Sequence, residues 1–510
     1  MDTTQNRVRN SSCQRITRWL VATTALATLL LVAAGVSAAA PASFKTGVYD
    51  PQALAGGTVP WASLPPDIAY GKTRDVGARL VRIPLIWRYV SPGTKPANPA
   101  DPASYDWGPN VYGPGFNSAV QGALANGLEP LVVVYNAPAW AECDGHGFGT
   151  CEGPPSDSGN FKPDPTLLGH LFTALSMKYP QINYFEVWNE PNGRNWLSDT
   201  TKANVMSRYR QMVSQARTAL KNQDSANKVV AGGLSPIGWF NKGKLVRYTP
   251  MQFLKDYLSV SNPTDFDVWG VHPYTLGGPT KRSPTLSRDP SYGNSIWFGD
   301  LGEAAGILNG AKRAGKIPTS AQYWIDEFSW DSSPPDSQTC TNPANGDKWG
   351  ATPMNILTRW TAEADYRAWK AGFSALIWHQ LKDNPLDKGM FQGGLFTAGS
   401  DFQVGSQKSA TQAFRFPFVA FKRPGGVYVW GVRPRGTSGQ VVIQKKTSSG
   451  WKNVRTLSPN ANGIFSKRFS LSITTRGVLR ATSTGPTSAG FALRAPTLSR
   501  HIFPFGCAQL

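Results

Sequence analysis

Residues 184–192 read Tyr-Phe-Glu-Val-Trp-Asn-Glu-Pro-Asn, an aromatic and β-branched run that leads directly into the carboxylate of Glu190. A second run, Tyr-Trp-Ile-Asp-Glu-Phe-Ser at 323–329, leads into Asp326 and Glu327 in the same way. Such runs predict buried strands. Side chains alternate along a strand, so Asp326 and Glu327 are expected to point in opposite directions.

The segment around these runs alternates short strand-like stretches with longer amphipathic ones, which indicates repeated βα units. Eight candidate strands over roughly 350 residues predict an α/β fold, a (β/α)8 barrel over residues 41–418, in which functional side chains gather at the C-terminal ends of the strands. No GxGxxG follows an early strand, which argues against a dinucleotide-binding fold. The eight candidates are Thr46–Tyr49, Arg79–Pro84, Pro130–Tyr135, Tyr184–Trp188, Lys228–Gly232, Val268–Val271, Gln322–Ile325 and Ala375–Trp378.

After Phe418 the sequence changes to short alternating strands separated by Gly, Asn and Ser turns. This spacing predicts a small all-β sandwich over residues 419–510. No long low-complexity linker precedes it, so we expect the sandwich to pack against the barrel. Its candidate strands are Val427–Val432, Gln440–Lys445, Trp451–Thr456, Ile464–Phe469 and Val478–Thr482.

The N-terminus predicts export. Four arginines precede an apolar run from Trp19 to Val36, and small residues follow at 37–40. This is the pattern of a secretory signal peptide, assigned here to residues 1–40. The run is near the length that spans a bilayer, so an uncleaved membrane anchor is the alternative. The prediction is a secreted or cell-surface protein.

Cysteine usage fits an oxidising compartment. With Cys13 in the signal segment, an even set remains, which suits two disulfides. The short spacing favours Cys143 with Cys151, which leaves Cys340 for Cys507, although four cysteines permit three pairings. No CxxC pair is present and the chain has 5 His, so neither a metal site nor a cofactor is expected.

Charge is concentrated in the tail. Residues 402–510 contain 16 Lys and Arg and no Asp or Glu, whereas residues 44–401 are nearly neutral. A basic block of this kind suits anionic partners such as acidic cell-wall polymers, phosphate-bearing polysaccharide or lipid headgroups. The alternative is that the charge only keeps the module soluble. Nucleic acid is not expected, because no recognition motif is present.

Four motifs, each at the end of a predicted strand, resemble those of the clan A glycoside hydrolases, most closely family 39. They are Trp188-Asn189-Glu190-Pro191-Asn192, Glu327-Phe328-Ser329, Pro138-Ala139-Trp140-Ala141 and His272-Pro273-Tyr274. The resemblance covers the barrel but not the tail. It implies a retaining mechanism in which Glu190 is the general acid/base, Glu327 is the nucleophile and Asn189 binds the sugar 2-hydroxyl.

The chemistry of that mechanism predicts further site residues. Glu327 must stay ionised and needs donors, for which Arg82 and Tyr274 are the candidates. Arg82 is alternatively a structural ion-pair partner, and His272 either lines a subsite or is a satisfied buried histidine. Asn136 follows the third strand, where a polar contact to the sugar is expected.

Aromatic residues near strand ends are candidates for a sugar platform, because sugar C–H faces stack on aromatic rings. Trp378 at the end of the eighth strand is predicted to form the floor of the subsite that binds the cleaved sugar. Other tryptophans could extend the platform or belong to the core: Trp87, Trp140, Trp196, Trp239 and Trp330. Their number in loops favours a long cleft.

The sequence therefore predicts a retaining endo-β-glycosidase that acts on a polysaccharide or oligosaccharide. An exo-acting β-xylosidase is the alternative within this class. A non-catalytic polysaccharide-binding cell-wall protein is the alternative outside it. The long loops after the third and seventh strands match no family motif, so the sugar, the linkage and the oligomeric state stay open.

Overall fold

The computed structural model of the chain describes residues 40–54, 61–109, 115–152, 158–241, 244–261, 263, 266–284, 294–333, 339–341, 348–350, 352–385, 391–496 and 501–502. Within these ranges, eight parallel strands close into a barrel. The strands are β1 (Lys45–Tyr49), β2 (Leu80–Ile86), β3 (Glu129–Tyr135), β4 (Tyr184–Val187), β5 (Lys228–Leu234), β6 (Val268–Val271), β7 (Gln322–Phe328) and β8 (Ala375–His379). Their order around the barrel is β1-β8-β7-β6-β5-β4-β3-β2. Each of the eight predicted strands is present, which confirms the barrel.

Helices follow the strands and form the outer layer. Those described are α1 (Pro66–Asp75), α2 (Gly115–Ala125), α3 (Pro165–Lys178), α4 (Lys202–Gln223), α5 (Pro250–Tyr257), α6 (Leu301–Arg313), α7 (Met354–Lys370) and α8 (Ser409–Arg415). Single-turn helices lie at Trp87–Val90, Pro102–Ser104, Ala139–Ala141 and Phe298–Asp300. None of the described helices is long and apolar enough to cross a membrane.

The longest helix, α4, shows how the outer layer holds the strands. The Thr201 side chain caps its first turn by accepting a hydrogen bond from Asn204 N at 3.1 Å. Its buried residues recur at helical spacing, which gives one apolar face. Tyr209 on that face donates to Val187 O at 3.2 Å and accepts from Gly232 N at 2.7 Å. The helix thereby fixes the end of β4 against β5.

The barrel interior is apolar at its lower end and polar above. Inward side chains such as Leu80 and Trp324 form one buried interior cluster, and the partly buried Tyr184 packs against it. Two residues further along the same strands stand Arg82, Glu186 and Asp326, all buried. Because side chains alternate, these polar groups also face the axis. The strand pattern therefore places a charged layer directly below the C-terminal face.

The rest of the described chain forms short strands. Beside the barrel lie β9 (Phe396–Ala398) and β10 (Val404–Gln407), and the loops contain Trp239–Asn241, Lys244–Arg247, Ser332–Ser333, Thr339–Thr341, Lys348–Gly350, Thr352–Pro353 and His501–Ile502. The C-terminal strands are β11 (Phe418–Arg423), β12 (Gly426–Val432), β13 (Val441–Thr447), β14 (Gly450–Leu457), β15 (Ile464–Ser470), β16 (Val478–Thr482) and β17 (Phe491–Ala492). They form two antiparallel sheets, β11-β12-β15 and β14-β13-β16-β17. This confirms the predicted all-β region and adds β11 and β17 to the strands expected from the sequence.

The C-terminal sheets pack directly against the barrel helices. Trp430 of β12 lies 5.4 Å from Trp369 of α7, measured between ring centroids. Arg435 donates to Ala78 O at 2.9 Å and to Gly127 O at 2.6 Å, at the base of the barrel. Arg359 of α7 donates to Ala492 O at 2.5 Å. The contact combines an apolar core with hydrogen bonds.

One disulfide joins Cys143 to Cys151, with Cα atoms 6.0 Å apart, as the spacing predicted. The strand Thr339–Thr341 pairs with Lys348–Gly350, and that strand pairs with His501–Ile502. The loop that carries Cys340 therefore lies in one sheet with the C-terminal segment. Residue 507 is outside the described residues, so the bridge from Cys340 to Cys507 stays a prediction.

Candidate active site

Two carboxylates lie at the C-terminal face of the barrel. Glu190 follows the end of β4 by three residues, and Glu327 lies near the end of β7. Their side chains are 15% and 16% exposed, whereas the charged groups beneath them are fully buried. The two predicted catalytic residues are therefore the acidic groups of this cluster that reach solvent.

The backbone around Glu190 has an unusual shape. Trp188 and Glu190 adopt φ of 71° and 42°, a region that non-glycine residues rarely occupy. Hydrogen bonds from Trp188 N to Val134 O and from Glu190 N to Gly233 O, each 3.0 Å, hold this turn between β3 and β5. Such backbone conformations cost about 1 to 3 kcal/mol each and concentrate at functional sites.

Arg82 on β2 organises the charged layer. Its guanidinium group donates twice to Glu186, at 2.7 Å, and once to Glu327 Oε2, at 2.9 Å. It also donates to Asn189 Oδ1 at 2.8 Å, and the Tyr49 ring lies 4.4 Å away. Arg82 is therefore both the predicted donor to Glu327 and a structural ion-pair partner.

Glu327 accepts a second hydrogen bond, from Tyr274 Oη to Oε1 at 3.1 Å. Burial raises the pKa of Glu327, but the charges of His272 and Arg82 and the Tyr274 hydrogen bond outweigh burial and hold this pKa below its usual value. The environment therefore keeps Glu327 ionised, as a nucleophile requires.

His272 connects the two carboxylates. Its Nδ1 lies 3.2 Å from Glu190 Oε1 and 4.0 Å from Glu327 Oε2. The separation of these two oxygens cannot exceed the sum of those distances. Retaining glycosidases separate their two catalytic carboxyl groups by about 5 to 5.5 Å, which the limit allows. Inverting glycosidases separate them by about 6.5 to 9.5 Å, and most of that range lies above the limit.

The protonation of His272 reflects its neighbours. Burial lowers the pKa of His272, but the charge of Glu327, the hydrogen bond to Glu190 and the charge of Asp326 raise it to about 9. His379 shows the opposite result, because burial lowers its pKa to about 4. One ring is therefore a cation at neutral pH and the other is neutral.

Three buried groups beneath the carboxylates could offer ligands to a metal: Glu186, His272 and Asp326 have donor atoms within 4.8 Å of one another. However, both oxygens of Glu186 already bind the Arg82 guanidinium group. A fixed cation in the cluster opposes a second one by charge repulsion. The donor set therefore fits a proton-sharing cluster better than a metal centre.

The relative direction of the Asp326 and Glu327 side chains differs from the prediction. Asp326 and Glu327 do not point in opposite directions, because both approach the His272 ring. Ile325 pairs with Leu376 and Phe328 with Trp378, so β7 contains one residue more than β8 between these pairs. Alternation already points Asp326 toward the barrel axis, and this β-bulge turns Glu327 to the same side.

The prediction that Trp378 floors the sugar subsite is wrong. Its ring is 1% exposed, packs among Phe328, Trp330 and Phe414, and donates to Gly393 O at 2.7 Å. Ala375 and Ile377 of β8 face the barrel interior, so Trp378 faces the outer layer. The axis-facing residue at the end of β8 is His379.

The other candidate platform residues lie in different environments. Trp87 and Trp330 are fully buried. Trp140 is 8% exposed and donates to Pro92 O at 2.9 Å, and Trp196 is partly buried with its ring 5.4 Å from Tyr135. The Trp239 side chain is outside the described residues. Trp140 and Trp196 therefore stay as candidates near the ends of β3 and β4.

Asn136 lies at the end of β3 with φ of 55°, and its Oδ1 is buried without a hydrogen-bond partner among the described residues. An amide oxygen in that state is available to a ligand. The disulfide loop follows shortly after, and Arg208 of α4 holds it through Asp144 at 2.7 Å. The loop after β3 is thus anchored to the barrel beside Asn136.

Sequence reasoning missed three site residues, namely Glu186, His379 and Tyr49. The signal for two of them is alternation, since Glu186 follows the inward Tyr184 by two positions and His379 follows the inward Ile377 by two. Tyr49 ends β1 and belongs to the interior cluster.

No protein-family model and no curated protein matches the chain. Solved structures of glycoside hydrolases are similar to it in part. A GH39 enzyme from Xanthomonas axonopodis pv. citri is 14% identical, with 85% of this chain and 93% of that chain covered and a TM-score of 0.46. A glucosidase from Croceicoccus marinus is 15% identical, with 88% and 96% covered and a TM-score of 0.44. A GH30 endoxylanase from Clostridium papyrosolvens is 11% identical, with 85% and 95% covered and a TM-score of 0.43.

Proposed function

We propose that the protein is a retaining glycoside hydrolase in which Glu327 is the nucleophile and Glu190 the general acid/base. The supporting observation is that His272 Nδ1 lies 3.2 Å from Glu190 and 4.0 Å from Glu327, and that Arg82 and Tyr274 each donate a hydrogen bond to Glu327. Two carboxylates in unequal environments are what a double displacement needs.

In the first step, Glu327 attacks the anomeric carbon while Glu190 protonates the leaving glycosidic oxygen. The bond to the leaving group breaks, and an ester forms between the sugar and Glu327. Asn189 accepts a hydrogen bond from Arg82, and in this proposal it binds the sugar 2-hydroxyl.

In the second step, Glu190 is a carboxylate and removes a proton from water, which attacks the anomeric carbon. The ester breaks and the charge returns to Glu327, where Arg82 and Tyr274 stabilise it by hydrogen bonds. Two inversions at the same carbon give net retention.

The most direct test is covalent trapping. A panel of 2-deoxy-2-fluoro glycosides with activated leaving groups is incubated with the protein, and the adduct is located by peptide mass spectrometry. One sugar is expected to label Glu327, which identifies the nucleophile and the sugar together. A label on another carboxylate would overturn the assignment.

Substitutions separate the two roles. Glu327→Gln is expected to abolish turnover, whereas Glu190→Ala should lower kcat/KM by about 10²- to 10⁴-fold for substrates with poor leaving groups. Azide should restore turnover of an activated aryl glycoside in Glu190→Ala with retained configuration. Glu303→Gln, at an exposed glutamate of α6, is the matched control and should leave activity unchanged.

We further propose endo action on a polysaccharide. The support is that Trp140 and Trp196, near the ends of β3 and β4, could extend the sugar-binding surface beyond one residue. Product analysis on a defined oligosaccharide tests this, and release of monosaccharide from one end would favour an exo-β-xylosidase. Binding without release of reducing ends across a panel of β-glycans would favour a non-catalytic polysaccharide-binding protein.

Exposed cations of the C-terminal sheets support a second proposal, that this region binds an anionic cell-wall polymer. Lys446 of β13 and Lys452 and Arg455 of the adjacent β14 are exposed, and no described carboxylate pairs with them. Replacement of all three by Gln should weaken retention on whole cells and reduce its salt sensitivity. The matched control replaces three exposed cations of the barrel helices, Lys178, Lys255 and Arg313, by Gln. Equal loss in both variants would contradict the proposal.

We also propose that residues 1–40 direct export, on the arginine-flanked apolar run alone. N-terminal sequencing of protein from the culture medium tests this. Intact protein that stays with the membrane fraction would favour the uncleaved anchor.

A further inference from the structure

Asp326 lies below the catalytic carboxylates with a fully buried side chain. Its Oδ1 is 3.6 Å from Nε2 of His272, which is also fully buried. Within the described part of the chain, neither carboxylate oxygen of Asp326 nor His272 Nε2 has a hydrogen-bond partner. A buried carboxyl group without donors is costly unless it is protonated or paired.

The groups around Asp326 leave His272 as its partner. Arg82 of β2 is engaged with Glu186 and Glu327, and Glu186 of β4 repels a second negative charge. Tyr209 of α4 uses its hydroxyl group between Val187 O and Gly232 N. The ring of His272, which directly follows β6, is the group that can exchange a proton with Asp326.

Two glycines show that the packing accommodates this pair. A Cβ atom on Gly270 would lie 1.8 Å from Asp326 Oδ2, so any side chain there would displace the carboxyl group. Gly233 has φ of 56°, and a Cβ atom there would lie 2.6 Å from Glu186 Oε1 and 3.6 Å from His272 Nε2. The strands β5 and β6 thus leave room for the carboxyl group of Asp326 beside the imidazole ring.

We propose that Asp326 is a positioning residue that shares one proton with Nε2 of His272 and so keeps Nδ1 of His272 protonated toward Glu190 in both catalytic steps. The proposal rests on the glycosidase function proposed above. Nothing but a proton moves: it leaves Nε2 of the imidazolium for an Asp326 oxygen, and the pair stays neutral overall.

This arrangement would serve both states of Glu190. While Glu190 is the acid, Nδ1–H donates to Oε1, so the Glu190 proton lies on Oε2 and can face the leaving group. After Glu327 becomes an ester, the negative charge beside His272 passes from Glu327 to Glu190, and the shared proton can rest on Nε2 or on Asp326. Nδ1 keeps its proton and continues to donate to Glu190, now the base.

The direction of the pKa values agrees with shared protonation. Burial raises the pKa of Asp326, and the charge of Glu186 raises it further, against His272 and Arg82, to about 7. The pKa of His272 is raised to about 9, mainly by the charge of Glu327 against burial. Both pKa values are therefore raised, so the protonated form of each group is favoured and the two can share a proton.

The test is nitrogen-15 NMR of the full chain labelled at histidine, between pH 5 and 10. His272→Gln identifies the His272 signals among the 5 histidines by their disappearance. In the wild type, Nδ1 should stay protonated throughout, while Nε2 titrates. Asp326→Asn keeps the shape of the side chain but removes its negative charge. In this variant the midpoint pH of the His272 titration should fall by at least about one unit.

Asp365→Asn is the matched control, because Asp365 is also buried but lies on α7. It should leave the His272 midpoint unchanged. An unprotonated Nδ1 in the wild type, or an equal midpoint in Asp326→Asn and the wild type, would overturn the proposal. If Asp326→Asn does not fold, the wild-type Nδ1 signal alone decides.

The NMR result is independent of turnover, so the two proposals can fail separately. If the enzyme is active and Asp326→Asn leaves the midpoint pH of the His272 titration unchanged, only the proton-sharing proposal is contradicted. Protein with the expected titration but no activity on any glycoside contradicts the catalytic function. In active enzyme, Asp326→Asn should also shift the basic limb of the kcat profile, a change that loss of packing alone would not cause.

Discussion

Removal of the Tyr274 hydroxyl group should move the acidic limb of the kcat/KM profile to higher pH. Tyr274→Phe deletes one hydrogen bond of 3.1 Å to Glu327, whereas the Arg82 contact at 2.9 Å remains. A hydrogen bond to a charged group contributes about 1.5 to 3 kcal/mol. The long distance and the remaining cation favour the lower end, about 1.5 kcal/mol, which is about one pKa unit.

The sign follows from the role of Glu327. The free enzyme needs Glu327 ionised, so kcat/KM falls as pH drops through the pKa of Glu327. This pKa is held below its usual value, in part by Tyr274, and loss of the hydrogen bond raises it. The second step should slow as well, because the departing carboxylate loses a donor. A pre-steady-state burst with an activated aryl glycoside would show accumulation of the ester.

The matched control is Tyr323→Phe, on β7, the strand that carries Glu327. Tyr323 is buried and donates to Asn309 Oδ1 at 2.9 Å, on the outer side of β7. Tyr323→Phe also removes one tyrosine hydroxyl group, but that group does not contact Glu327. The acidic limb of its kcat/KM profile should therefore coincide with that of the wild type. An unmoved limb in Tyr274→Phe, or an equal shift in both variants, would refute the reasoning.

Three further predictions concern the same structure. Arg82→Met should lower the free energy of unfolding by about 3 to 5 kcal/mol in chemical denaturation, because Glu186 stays buried without its partner; a loss under about 1 kcal/mol would contradict this. Trp378→Ala should lower stability by about 3 to 5 kcal/mol with KM unchanged in the folded fraction, and a raised KM at unchanged stability would return Trp378 to the subsite. Replacing Cys143 and Cys151 together by Ser should cost about 2.5 kcal/mol in thermal or chemical unfolding, whereas equal stability would show that the bridge adds nothing.

Much of the barrel could be predicted from its strands. The eight runs were visible because barrel strands are buried on both faces and therefore rich in apolar and β-branched residues. Glu190 and Glu327 were visible because each follows such a run directly. These signals are local in the sequence, so no knowledge of packing was needed.

Side-chain direction could not be predicted with the same success. Glu327 lies on the same side of β7 as Asp326 because of a bulge between β7 and β8, and a bulge depends on the pairing of two strands that lie far apart in the sequence. For Trp378, the size and position of the ring suggested a sugar platform, but alternation along β8 places it in the outer layer. Counting from an inward residue such as Ile377 would have selected His379 instead.

Because Gly270 has no side chain, the residue types that are tolerated at positions 270 and 326 depend on each other. A Cβ atom at 270 and a carboxyl group at 326 cannot occupy the same space. Gly270→Ala should therefore be harmful alone and better tolerated once residue 326 is Ala or Gly, so the two effects on stability should not add. If position 326 changes first, the single variant keeps room for a later side chain at 270. If position 270 changes first, the single variant contains the clash, so the order of the two substitutions decides whether the intermediate protein folds.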